Sequence, residues 1–377
     1  MRFVVLLLLV ALVEGSRVPL MKMKDNIPGR YIVKIKDEFN VDRVIENLKT
    51  SFLEILGGRI ESRYQALNGF SAELSEKALE LVLRSSQVAY VEEDSLVYTQ
   101  DVGSWGIDRL DSPDLPMDNE YQPQFDGTGV NVYIIDTGVN PIHEDLAGRV
   151  EVFYDTEPIR GNEGIDCNGH GSHCSGTAAG TVYGVAKNAR IFGVRVLSCV
   201  GWGANSKVIE GMDYVTMNAQ KPAVASMSLG GGFSTASNDA VDRMYSAGIV
   251  VAVAAGNSNT DACTQSPSSA LNAISVGASD SDDLRASFSN YGDCVDIFAP
   301  GVSITSIASG TTDGTATFSG TSMACPHVAG AAALVLDENP EFTPAQVAAA
   351  LFNTAANDKV VDHKTPTNKL LQVKAMQ

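Results

Sequence analysis

Three short stretches of this 377-residue chain carry side chains whose chemistry would be useful together. They are VYIIDTGV with Asp136, DCNGHGSHCSG with His170, and SGTSMACPHVAG with Ser322. A serine hydroxyl is a poor nucleophile until an imidazole takes its proton. The imidazole in turn needs a carboxylate on its other nitrogen, to fix its tautomer and stabilise its charged form. Asp136, His170 and Ser322 supply these three groups. A fourth residue, Asn257 in VVAVAAGN, offers a side-chain NH₂ which, with the Ser322 backbone N–H, would make a two-donor oxyanion hole. An isolated Asp after a strand, or His beside Gly, usually only caps a loop, so the argument rests on the joint pattern. The motif already uses His170, so His173 and His327 are assigned to structural hydrogen bonds, and His143 and His363 receive no role. There is no HExxH and no cysteine pair at zinc spacing, so no catalytic metal is expected.

These residues need a scaffold that brings distant segments together. Beyond Trp105, apolar runs (VNVYIID, RIFGVRVL, AVASMSL, IVVAVAA, NAISVGA, VDIFAP) alternate with helical patterns near 206–219, 235–246, 323–336 and 344–351. Strands that are apolar on both faces and separated by helices predict a parallel α/β sheet covered on both sides. Ligands of such sheets bind at the carboxyl ends of the strands. Asp136 closes one of these runs, and Ser322, shortly before Pro326, would open a helix whose N–H groups face a developing oxyanion. Upstream, residues 30–94 read as strand (31–35), helix (41–56), two strands meeting at Asn68-Gly69, helix (75–83) and strand (88–91). This βαββαβ order is that of a small ferredoxin-like α+β module. The polar stretch SLVYTQDVGS that follows is expected to be a linker or cleavage region.

Composition narrows the setting. The chain is 44% hydrophobic and 19% charged, as globular proteins are. Its 27 Lys+Arg against 45 Asp+Glu give a net charge of −18. From Ser16 to Gln100 the balance is 12 against 13, and from Asp101 onward 14 against 31. The C-terminal part would therefore repel phosphate backbones, so nucleic-acid partners are not expected. The first residues, MRFVVLLLLVALVEGSR, have the charge, apolar run and small residues of an export signal, here residues 1–15, and the run is too short to span a bilayer. No membrane association is expected, and the six cysteines suit an oxidising, extracellular compartment.

The three motifs and AAGN, in the order Asp, His, Ser, resemble the subtilisin-like serine proteases. DCNGHGSH with SNYG and DIFAPG is similar to the proteinase K branch. The resemblance implies a three-layer fold around a central parallel sheet, with an inhibitory propeptide (16–100) preceding a catalytic domain (101–377). It implies a secreted, monomeric serine endopeptidase that acts on proteins and peptides and processes itself from a zymogen. An alternative is a binding protein of the same fold that keeps its prodomain clamped in the site and does not turn over in trans. Labelling by a fluorophosphonate would separate the two. For substrate, the resemblance implies pocket walls at Ser228-Leu229-Gly230 and Ala254-Ala255-Gly256, with Gly201-Trp202-Gly203 as the edge beside which substrate adds a strand. It further implies disulfides Cys167–Cys199 and Cys263–Cys294. Cys174 and Cys325 either pair beneath the site or stay as buried thiols. Structural Ca²⁺ is implied at Asp296 with the carbonyls of Leu271 and Ala273, and at the cluster Asp108, Asp111, Asp118 and Glu120. Activity is expected to rise with pH around the ordinary imidazole value, about 6.5.

Overall fold

The computed structural model describes residues 17–23, 26–50, 53–99, 105–158 and 163–374. The export signal expected at 1–15 and the residues around the expected processing point, 100–104, lie outside these. No helix among the described residues is long and apolar enough to cross a membrane.

The N-terminal unit folds as strands Asn26–Ile35, Gly58–Tyr64, Gly69–Leu74 and Val88–Thr99 with helices α1 (Val41–Thr50) and α2 (Glu76–Leu83). The strands pair antiparallel in the order 88–99, 26–35, 69–74, 58–64. Alternation along the strands divides the sheet into two apolar faces. Val33, Ile35, Phe70 and Val91 pack under α1 and α2 with Val44, Leu48 and Val82. Ile32, Tyr64, Leu67 and Tyr90 face the other way and join a core of the larger unit. The helix expected over 41–56 stops at Thr50.

The larger unit holds a nine-stranded sheet. From Ile297–Pro300 the order runs 274–279, 250–254, 223–227, 131–136, 190–195, 150–155, all parallel. Its helices are α3 (His170–Ala179), α4 (Asn205–Asn218), α5 (Thr235–Ser246), α6 (Thr321–Glu338) and α7 (Pro344–Thr354). Residues of α3, α6 and α7 fill the core on one face of the sheet, and residues of α4 and α5 fill the core on the other. The chain order along the sheet reverses between strands 131–136 and 223–227, and at such a reversal a crevice opens beyond the carboxyl ends of the strands.

The stretch after Asp94 is not a free linker. Strand Val88–Thr99 leaves its own sheet and runs antiparallel between Trp202–Ala204 and Leu229–Gly232, pairing Tyr98 with Trp202 and Gly230, and Thr99 with Leu229. Its polar composition concealed a strand whose hydrogen bonds come from two edges of the larger unit.

Candidate active site

Asp136 ends strand Asn131–Asp136, and His170 is the first residue of α3. Both are buried, and the His170 Nδ1–H meets Asp136 Oδ1 at 2.7 Å. That bond leaves the Nε2 lone pair to accept a proton. Asp166, which the sequence reading did not single out, sets this geometry. Its Oδ2 accepts from Ser172 N–H (2.8 Å) and Ser172 Oγ–H (2.6 Å), capping the first turn of α3, and its Oδ1 accepts from Thr137 Oγ1–H (3.0 Å). Thr137 Oγ1 in turn accepts from Gly171 N–H (2.9 Å), tying the strand end to the helix start. Burial opposes a charge on His170, but the Asp136 carboxylate and then Cys174 outweigh it, holding the imidazole well above its ordinary value.

Ser322 is the second residue of α6, so its N–H is among the first four of the helix, which have no intrahelical acceptor. Pro326 lies four residues on and has no N–H to donate to the Ser322 carbonyl. Two side chains take that carbonyl instead: Ser228 Oγ–H at 2.8 Å and Cys174 Sγ–H at 3.4 Å. The helix start is thereby joined to the end of strand 223–227 and to α3. The Ser322 hydroxyl donates to Ser228 O at 3.1 Å. Cys174 Sγ lies 4.0 Å from His170 Nδ1, so one thiol touches both helices that carry the reactive groups.

Asn257 follows strand 250–254. Its Oδ1 accepts from Thr321 N–H (2.9 Å) and Thr321 Oγ1–H (2.8 Å). A backbone N–H can only donate, so the oxygen must face Thr321 and the NH₂ is presented on the opposite side as a donor.

Leu229 and Gly230 flank one side of strand 88–99, and Trp202 and Gly203 the other, with Gly201 in the turn just before them. Ala254 ends strand Val250–Ala254, and Ala255 and Gly256 follow it. Trp202 is half exposed at the rim. The two disulfides, Cys167–Cys199 and Cys263–Cys294, each close a loop of about 30 residues. Cys174 and Cys325 are separate buried thiols. His173 and His327 are buried against carbonyls of Ile304 (2.9 Å) and Met323 (2.7 Å), and burial pushes them down to about 3 and about 4. His143 Nδ1 accepts from Asp145 N–H, and His363 Nδ1 from Thr365 N–H.

The residues considered for calcium fall in two places. Asp296, Leu271 and Ala273 line one cavity. The Asp296 carboxylate is pushed up to about 6 by burial, although Ser275 N–H donates to it at 2.8 Å. At the second place, burial and then the negative charge of Asp118 raise Asp108, and burial with Asp118 and Asp108 raises Asp111. The Asp111 Oδ1 atom is buried without a hydrogen-bond donor. Glu120 turns to the Gln122 side chain. Hard carboxylate oxygens held this way suit a hard cation.

Residues 127–369 match the subtilase family, and residues 30–100 match peptidase inhibitor I9. The chain is 46% identical over 355 residues to an extracellular serine proteinase of Thermus sp. (strain Rt41A), covering 89% of this chain and 86% of that protein. It is 41% identical over 322 residues to proteinase R of Parengyodontium album, covering 82% and 80%. Among solved structures, a cold-adapted subtilisin-like serine proteinase superposes with a TM-score of 0.70 at 51% identity, covering 72% of this chain and 98% of that one. The chain belongs to the subtilase family of serine proteinases and carries an I9-type propeptide.

Proposed function

We propose that residues 1–15 direct export and that residues 16–100 form a prodomain that assists folding and then inhibits. Residues 101–377 are the mature endopeptidase, released by self-cleavage between Gln100 and Asp101. The observation that carries this reading is strand Val88–Thr99 in the groove between Trp202–Ala204 and Leu229–Gly232, held as a peptide substrate would be by β-augmentation. Within it Thr99 lies opposite Leu229, the neighbour of Ser228, whose carbonyl holds the Ser322 hydroxyl.

In this reading Ser322 Oγ attacks the carbonyl carbon while its proton passes to His170 Nε2. Asp136 stabilises the resulting imidazolium. The carbonyl electron pair moves onto oxygen, where Asn257 Nδ2–H and Ser322 N–H receive it. Collapse breaks the C–N bond, and the departing amine takes the proton from His170. Water, deprotonated by the same imidazole, then releases the acyl group from Ser322. Ca²⁺ is assigned a structural role at Asp296, with the carbonyls of Leu271 and Ala273, and at Asp108, Asp111, Asp118 and Glu120, and the chemistry passes through neither.

The test is covalent labelling by a fluorophosphonate. The mature wild-type protein is expected to take up one label, at Ser322, and Ser322→Ala none. Absence of label in a processed wild-type protein would overturn the assignment.

A further inference from the structure

We propose that Cys174 and Cys325 form a redox-active pair, which a two-electron thiol oxidant joins in a third disulfide that displaces Ser322 and lowers kcat. Neither thiol takes part in the proton transfers proposed above, and both are fully buried. The other four cysteines are already joined to one another, so each of these two has only the other as a partner within the chain. They are brought together where α6 crosses α3. Cys174 Sγ lies 3.4 Å from Ser322 O, and further along the crossing a Cβ on Gly330 would sit 2.7 Å from Ala178 O. Cys325 lies on α6 between these two contacts, one turn beyond the first. The Ser228 hydroxyl, which donates to Ser322 O at 2.8 Å, is also within hydrogen-bonding reach of both thiols. The two sulfurs therefore flank a single side chain.

Burial raises both thiols, Cys325 to about 12, and only at Cys174 does a positive charge, that of His170, offset part of the rise. Cys174 is therefore the sulfur that reacts first, during local opening of the helix starts. With a diazene as oxidant, its sulfur adds to the N=N bond and forms an S–N bond. The Cys325 sulfur then attacks the Cys174 sulfur. The S–S bond forms as the S–N bond breaks, and the two thiol protons and the electron pair leave with the oxidant as a hydrazine. The new bond, about 2 Å long, draws the first turn of α6 toward α3. The Cys174 sulfur also has no proton left to give, so Ser322 O keeps only the Ser228 donor. Both changes act on the turn that carries the nucleophile, where a shift of about 1 Å can cost about 100-fold in rate.

The test treats self-processed mature wild type, Cys325→Ser and Cys174→Ser with diamide, a diazene that spares thioethers and so leaves the neighbouring Met323 out of the result. Each protein is compared with its own untreated sample. Free thiols are counted by alkylation after denaturation without reductant, and read by intact mass. Wild type is expected to go from two alkylated thiols to none. A peptide bridging Cys174 to Cys325 is expected with it, and a kcat lowered about 10- to 100-fold, both reversed by dithiothreitol. Cys325→Ser is expected to keep its remaining thiol and to show no loss of kcat. Cys174→Ser is expected to behave in the same way, and serves if Cys325→Ser does not fold. Retention of both thiols in wild type, their loss without a change in kcat, or an equal loss of kcat in an active single-thiol variant would overturn the proposal. An untreated wild type that neither cleaves peptide nor takes a fluorophosphonate label would instead overturn the proteolytic reading on which the kcat readout rests.

Discussion

Replacing Asn257 by alanine is expected to leave the fold intact and lower kcat by about 10² to 10³, the range known for this donor in subtilisin, with little change in KM. A change mainly in KM would place the residue in substrate binding instead. The structure also moves the expected pH profile. Burial opposes a charge on His170, but Asp136 and Cys174 together outweigh it, so its proton is held above the ordinary imidazole value of 6.5. The general base must be neutral to accept the serine proton, so a raised value shifts the rising limb to higher pH. Measured kcat/KM is therefore expected to rise through a midpoint above 6.5, and a midpoint at or below that would contradict the pairing. At this scale the candidate triad was legible because each of its residues sits in a long motif. Asp166 was not, since a capping Asp looks ordinary until its partners, set by chain crossings, are known.

Helices α4 and α5 show how the prodomain is recognised. Ala204, before α4, offers no side-chain cap, and Asp94 of the prodomain supplies one: Ser206 N–H donates to its Oδ1 at 2.8 Å, and Ser206 Oγ–H to its other oxygen. Glu92 does the same at α5, accepting from Ala236 N–H (3.1 Å) and from Ser234 Oγ–H. In the opposite direction, Asp213 on α4 accepts from the N–H groups of Gln65, Ala66 and Leu67. Carboxylates at helix N-termini satisfy orphan donors and meet the positive end of the dipole. Asp94→Ala in a separately added prodomain is expected to weaken inhibition of the mature enzyme about 3- to 30-fold, the equivalent of a lost cap. An inhibition constant unchanged within error would mean the cleft strand alone holds the prodomain. The prodomain elements were legible from their periodicity. Strand 88–99 beyond Val91 was not, because residues 95–99 lack an apolar alternation of their own and become a strand through edges formed more than 100 residues later.

For the molecule as a whole, stability should depend on calcium and its dependence on pH has a definite sign. The Asp296 carboxylate, raised from 3.8 to about 6, is harder to ionise in the folded state. Without a cation its charge therefore subtracts from stability as pH rises through that window, and a bound ion offsets the loss above it. A ligand of the folded state alone contributes about 2.7 kcal/mol at a hundred times its Kd. Adding EGTA at pH 7.5 is thus expected to lower the calorimetric midpoint of the fluorophosphonate-blocked mature protein by roughly 5 to 10 °C. An unchanged midpoint would remove both assigned sites. The sheet and its layers were legible from alternating apolar strands and helices, but its long-range ties were not. Arg109, fully buried, grips both oxygens of Asp283 at 2.9 Å across 174 residues, a pairing that no spacing rule announces. The proposed function rests on one claim, that Ser322 cuts the chain's own polypeptide after Gln100. Intact-mass measurement of the secreted wild type and Ser322→Ala, expressed side by side, tests it most directly. Wild type is expected to give a mature chain beginning at Asp101 and a separate prodomain ending at Gln100, and Ser322→Ala a single uncut proprotein. Normal cleavage of Ser322→Ala at the same bond would contradict the account.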